Sequence, residues 1–249
     1  MGRIPIGLQL YSVRDDCARD LPGTLAAVAK MGYTGVEFFT FYDHPAKTVR
    51  AMLDDLGLVC CGAHVSLQSL LGDALPRTIE YHQTLGNKYL VVPALPEERR
   101  ATRAAWRQTA QLFSGLAEQA GKHGMLVGYH NHSVEFKEIE GQTPFDVFFG
   151  ATAPEVIMQL DLGNGMHGGG DMLACLRRYP GRAVTIHLKE YSPDNMALIG
   201  EGGVPWQDVF ALCEQQGKTE WYIAEHEHYK YPPLECVRRC LDNLRAMGK

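Results

Sequence analysis

Eight short apolar runs, each followed by a loop and a stretch with helical spacing, constrain this chain more than any other feature. The runs are Ile4–Leu10, Gly35–Phe39, Leu58–His64, Lys88–Val92, Met125–Asn131, Val156–Asp161, Ala183–Leu188 and Glu220–Ala224. Helical spacing covers Leu21–Met31, Pro45–Leu56, Ala74–Leu85, Thr102–His123, Pro144–Phe149, Met172–Tyr179, Trp206–Gln216 and Leu234–Met247. The stretch from Thr102 places Trp106, Leu112, Phe113, Leu116 and Ala120 roughly on one stripe, as a helix with a buried face requires. Glycine follows many of these stretches, at Gly32, Gly57, Gly86, Gly124 and Gly217. A residue just past a helix often takes the left-handed conformation that glycine tolerates. Helix, glycine and strand in succession mark right-handed βαβ units. Eight of them predict an α/β fold, a single (β/α)8 TIM barrel over residues 1–249, and such barrels typically take about 250 residues. No G-x-G-x-x-G follows the first run, which argues against a dinucleotide-binding open sheet. No linker or low-complexity tract marks a second domain.

Composition narrows the partners. The chain is 45% hydrophobic and 21% charged, with a net charge of −5, so a nucleic-acid partner is not expected. Its seven cysteines are odd in number and contain no C-x-x-C, which suits buried free thiols in a reducing cytoplasm. Cys60 and Cys61 are neighbours in a predicted strand and point to opposite faces. The opening MGRIPIGLQL enters a strand pattern without the apolar core of a secretory signal. No apolar run reaches the ~18 residues of a membrane span, so the expectation is a cytoplasmic protein with no membrane partner.

A closed barrel brings the C-terminal ends of distant strands to one mouth, where catalytic groups of this fold sit. Four strand ends here read YHNH (Tyr129–His132), QLD (Gln159–Asp161), IHLK (Ile186–Lys189) and AEHE (Ala224–Glu227). Asp161, His187 and Glu225 offer carboxylate and imidazole donors at equivalent places in three consecutive units. That donor set suits a catalytic divalent ion: Mn, Co, Mg, Fe or Zn. His130 is a fourth candidate ligand. A carboxylate such as Glu225, closing a strand buried on both faces, needs a partner, because unpaired burial is costly. Asp161, in DLGNG, also suits the start of a turn. The other strand ends supply Gln9, Tyr11, Arg14, Glu37, His64, His132, Glu135, Lys189 and Glu227. His226 and His228 alternate with Glu225 and Glu227, so one set at most faces the mouth.

The segments IGLQLYSVRDD, TLAAVAKMGYTGVEF, GYHNHSVEF, QLDLGN, IHLKEY, GEGGVPWQDVF and WYIAEHE together resemble the sugar-phosphate isomerase/epimerase family of the xylose-isomerase-like barrel superfamily. The resemblance runs nearly the whole chain. It implies a metal held by a Glu on strand five, an Asp on strand six, a His on strand seven and a Glu on strand eight. Asp161, His187 and Glu225 match the last three. At strand five His130 stands where the family has Glu, and Glu135, five residues on, is the alternative.

The leading expectation is therefore a metal-dependent isomerase or epimerase that moves a proton beside the carbonyl of a small carbohydrate through an enediolate. Glu225 is the base, with His130 or His132 as the second proton carrier. Lys189 stabilises charge, and Glu37 and His64 orient substrate hydroxyls. Trp206, after GEGG, either covers the pocket or anchors a helix start. The alternative on the same residues is a lyase or dehydratase acting on a keto sugar or keto polyol. Further from the pattern lie a DNA-repair enzyme like endonuclease four and a non-catalytic sugar-binding barrel. Nothing requires a phosphorylated substrate, and association into a homo-oligomer stays open.

Overall fold

The computed structural model describes residues 3–216 and 218–249. Eight parallel strands close into one barrel in sequence order. They are β1 Ile6–Gln9, β2 Gly35–Phe38, β3 Val59–His64, β4 Tyr89–Val92, β5 Leu126–His130, β6 Ile157–Asp161, β7 Thr185–Leu188 and β8 Trp221–Ala224. β8 pairs with β1, Ile6 opposite Tyr222, and completes the ring. Around it run α1 Arg14–Arg19, α2 Leu21–Met31, α3 Ala46–Leu56, α4 Ala74–Leu85, α5 Arg103–Gly121 and α6 Pro144–Ala151. They are followed by α7 Leu162–His167, α8 Met172–Arg178, α9 Trp206–Gln216 and α10 Pro233–Ala246.

Every strand expected from the sequence is present, trimmed at its ends. β1 stops at Gln9 because the Gln9 side chain accepts the Tyr11 N–H and turns Leu10–Val13 into a 3-10 segment. Helices α1 and α7 were not foreseen. Each has six residues, too few to show a periodic stripe. The glycines past helices behave as expected: Gly32, Gly57, Gly86 and Gly124 have φ of 101°, 65°, 81° and 74°. Gly217 lies outside the described residues. All seven cysteines are buried and unpaired. Among the described residues no helix is long and apolar enough to cross a membrane.

Alternation along the strands sorts the core into two parts. Outward residues pack under the helices. Tyr129, for example, sets its ring 5.9 Å from Trp106 and 6.0 Å from Phe113 of α5. A separate, smaller apolar cluster of Tyr89, Val91 and Ile157, with Leu126, Val184 and Trp221, comes from the starts of strands β4 to β8 and plugs one end of the barrel. Above it the interior turns polar: Gln9, Glu37, Gln159, Thr185 and His187 are all fully buried. Register levels this polar layer, with Gln9 opposite Glu37, His130 opposite Gln159 and Asp161 opposite His187. Leu188 lies opposite Ala224, so Lys189 and Glu225 leave the barrel side by side.

Candidate metal centre

His130, Asp161, His187 and Glu225 each offer one donor atom, and these four atoms lie within 4.8 Å of one another. All four residues are buried. Chain positions spread over three strands and a loop thus meet at one point, as the closed barrel requires. His64, His130 and His187 form a second, overlapping group.

Asp161 shows how local and global demands share one carboxylate. Its Oδ1 accepts the Asn164 N–H at 2.7 Å and caps α7. Its Oδ2 is buried with no hydrogen-bond partner and lies 3.8 Å from His187 Nδ1. The turn start uses one oxygen and leaves the other for the ligand role expected of this residue. Asn131 clamps the strand from the other side, donating to the Asp161 carbonyl at 3.0 Å and accepting its N–H at 2.9 Å.

The imidazoles are oriented by an amide and a carboxylate beneath them. Gln159 Nε2 donates to Glu37 Oε1 at 2.7 Å and to Thr185 Oγ1 at 3.1 Å, so its Oε1 faces the histidines. That oxygen can only accept. It lies 3.1 Å from His130 Nδ1 and 2.8 Å from His64 Nε2, so both nitrogens carry protons and His130 keeps its Nε2 lone pair free. His187 lies between two carboxylates. Its Nε2 donates to Glu37 Oε2 at 2.5 Å, and its Nδ1 contacts Glu225 Oε2.

Charge in this layer is tightly coupled. Burial pushes His187 down, but Glu37 and Glu225 override it and raise its pKa to about 10. Burial pushes Asp161 up to about 7, helped by Glu225 and opposed by Lys189 and His187. Burial also works to raise Glu225, yet Lys189 and His187 hold it well below the usual carboxylate range. His130 is driven well below its ordinary value by burial and then by the neighbouring His187 and His64. A buried carboxylate oxygen without a protein partner, beside a second carboxylate and a neutral imidazole, is a donor set that a cation would complete. The residues therefore suit a divalent ion.

Above the cluster opens a cavity of about 820 Å³ that reaches Gln9, His64, His130, His132, Glu225 and Glu227. Three expectations change here. Glu37 lies below the cavity floor with both oxygens taken, Oε2 also accepting Gln9 Nε2 at 2.7 Å. It is not part of the cavity lining, and its oxygens accept from Gln9, Gln159 and His187. Gly62 makes room for it, since a Cβ there would come within 2.3 Å of Glu37 Oε1. Lys189 is buried, its Nζ pairing with Glu227 and lying 3.7 Å from Glu225 Oε1. It neutralises two carboxylates from behind instead of facing the cavity. Trp206 lies off the cavity: its Nε1 donates to Glu190 Oε2 at 2.8 Å and its ring stacks on Phe210. A buried indole N–H needs an acceptor, and Glu190 also takes the N–H groups of Tyr191, Gly200 and Val204. Trp206 is the helix anchor.

Glu135 accepts the Tyr129 hydroxyl at 2.7 Å and the His132 N–H at 2.7 Å, so it is turned away and His130 is the group from β5 in the cluster. Of the alternating pairs at β8, the glutamates face the cavity, while the His226 N–H donates to Ser12 Oγ at 3.0 Å behind it. Sequence reasoning gave Gln159, Asn131 and Glu190 no role. A polar residue two before Asp161 in an apolar strand points to the same face, which was the signal for Gln159.

The profile of the xylose isomerase-like TIM barrel family matches residues 25–247. The chain belongs to that family. An inosose dehydratase from Erwinia tasmaniensis is 24% identical over 243 residues, spanning 82% of this chain and 81% of its own. A solved sugar phosphate isomerase/epimerase from Parabacteroides distasonis superposes with a TM-score of 0.83 at 27% identity, over 99% of this chain and 95% of the other. A D-allulose 3-epimerase from a Methylomonas species gives a TM-score of 0.68 at 14% identity, over 99% and 98%, and shares the fold.

Proposed function

We propose that this member of the xylose isomerase-like TIM barrel family is a metal-dependent enzyme that removes a proton from the carbon beside the carbonyl of a carbohydrate or polyol ketone. The observation that carries the reading is the orphaned Asp161 Oδ2 within a four-donor cluster at the base of an open cavity. His130, Asp161, His187 and Glu225 would hold the ion (Mn, Co, Mg, Fe or Zn), and it would supply Lewis acidity toward the substrate carbonyl, worth several kcal/mol.

The protein's own groups divide the remaining work. Glu225, held ionised by Lys189 and His187, takes the proton from carbon. His132, at the cavity mouth, is the proton donor; its backbone is fixed by Glu135. His64 reaches the cavity and orients hydroxyls. His130, with Nδ1 tied to Gln159, serves as ligand instead of proton carrier.

Between the two outcomes of the shared first step, the residues favour elimination. Epimerisation with a carboxylate on each face needs a second one where β5 ends, and there the chain has His130 with Glu135 turned to Tyr129. One carboxylate and one imidazole suffice to take the proton, break the β carbon–oxygen bond and release the hydroxyl as water, leaving an unsaturated ketone. The inosose dehydratase likeness agrees with this. The Parabacteroides likeness keeps isomerisation as the second reading, since one base on one face can return the proton to the neighbouring carbon. Proton NMR in deuterated water with Mn-loaded protein and an inosose or a ketohexose separates them. Elimination gives water and a new alkene signal; isomerisation exchanges label with composition unchanged. Equal exchange by wild type and Glu225→Gln would refute the assignment of the base.

A further inference from the structure

The cavity is two-sided. Its polar side comes from the ends of β5 and β8, through His130, His132, Glu225 and Glu227. Its other side comes from the loops after β1 to β4, where Tyr11, Phe39, Val65, Leu67, Leu71 and Pro93 make an apolar patch beside Gln9, His64, Ser66 and Gln68. A volume of about 820 Å³ falls within the ~300–1,000 Å³ that accommodates drug-sized ligands. A single sugar ring held at the donor cluster would leave this apolar patch uncovered. A hydroxyl pressed against that wall would lose water without gaining a partner.

The aromatic part of this side is held by several contacts. Tyr11 is 37% exposed and meets Phe39 edge to face at 5.0 Å between ring centroids. The Arg14 guanidinium lies 4.5 Å over the Tyr11 ring, donates to the Tyr11 carbonyl at 3.1 Å, and is fixed by Tyr229 Oη at 2.7 Å. Across the groove, Leu67 sits in a 3-10 turn capped by Ser66. The exposed Tyr11 ring and the half-buried Phe39 ring offer a platform for a third flat ring. At the outer rim Glu98 and Arg99 both line the cavity, so the rim offers no net positive charge for a phosphate.

We infer that the substrate has two parts: a sugar or polyol ring that carries the ketone, joined to an aromatic group that lies against Tyr11 and Phe39. It is an aryl glycoside or a close analogue, and a free inosose or ketohexose is a poorer substrate of the same site. The inference rests on the reading of the donor cluster as the place where the carbohydrate ring binds.

Titration calorimetry of the Mn-supplied protein with phenyl β-D-glucopyranoside and methyl β-D-glucopyranoside tests it without turnover. The phenyl compound should bind at least tenfold tighter. In Tyr11→Ala/Phe39→Ala that advantage should fall below threefold, with the bound Mn content unchanged. Similar affinity for both glucosides, no binding of either, or an advantage that survives in the double variant overturns the inference. Loss of Mn binding by the wild-type protein would instead overturn the metal reading, and the ratio of the two glucosides would remain a separate measurement.

Discussion

Binding of a divalent ion to this cluster should expel protons, and the number follows from the geometry. In the ion-free protein His187 is an imidazolium held between Glu37 and Glu225, with a pKa of about 10. A metal ligand must be neutral imidazole, so its Nδ1 proton has to leave. Asp161, raised to about 7 by burial, is partly protonated at neutral pH and must also ionise. Together they release between one and two protons at pH 7. Neutralising His187 at pH 7 from a pKa of about 10 costs roughly 4 kcal/mol at ~1.36 kcal/mol per unit. The ion must more than offset that.

The sign is fixed by both groups having raised values. Protons compete with the ion, so affinity rises with pH, about tenfold per unit between 7 and 10 and more steeply below 7. Calorimetric titration of Mn into chelator-treated protein, in buffers of different ionisation enthalpy at pH 7, counts the protons directly. Affinities measured from pH 6 to 8.5 give the slope. A buffer-independent enthalpy together with a flat affinity would refute the arrangement of His187 between two carboxylates. Glu37→Gln sharpens the test: it removes one of the two carboxylates, lowers the His187 pKa, and so reduces the protons released.

The same variant should weaken metal affinity by about 10–100-fold, the usual effect of losing a carboxylate behind a ligating histidine; equilibrium dialysis checks it. Asp161→Asn and His187→Ala should leave protein with no retained ion by elemental analysis, while the circular dichroism of the barrel persists. Lys189→Met removes the cation beside Glu225 Oε1, so the Glu225 pKa rises and the acid limb of the pH–rate profile moves to higher pH; an unmoved limb would show that Lys189 does not sense that carboxylate. Glu190→Gln strips one of two acceptor oxygens from four donors, which should cost about 2 kcal/mol and lower Tm by about 4–8 °C in a chain of this length, as calorimetry can measure.

The barrel was legible because its signals are local. A strand run, a glycine past a helix and an apolar stripe each depend on a few adjacent residues. Asp161, His187 and Glu225 were legible for a related reason, since the repeat fixes where each strand ends. Glu37 was placed at the right height, but its contact with His187 was not foreseen. Its contact with His187 spans 150 positions and crosses the barrel interior, a relation that no local pattern encodes. Trp206 was ambiguous because its partner, Glu190, belongs to the loop before it and reads as surface charge in a string of residues. Helices α1 and α7 escaped because six residues cannot display a period.

The polar layer looks expensive, since Gln9, Glu37, Gln159 and His187 are all removed from solvent. Its cost is contained by connection. Gln9 and Gln159 each donate to Glu37, Gln159 accepts from His64 and His130, and Glu37 accepts from His187. A buried network whose members are all paired is tolerated, whereas one left open is destabilising. Within the donor cluster the open end is Asp161 Oδ2. The network thus ends at the one place where an ion would complete it, and the apolar cluster of Tyr89, Val91 and Ile157 closes the barrel on the other side. Filling that end adds the binding free energy of the ion to the stability of the fold. The same contacts that make the interior costly then set the ligand geometry, so that stability and function draw on one set of hydrogen bonds.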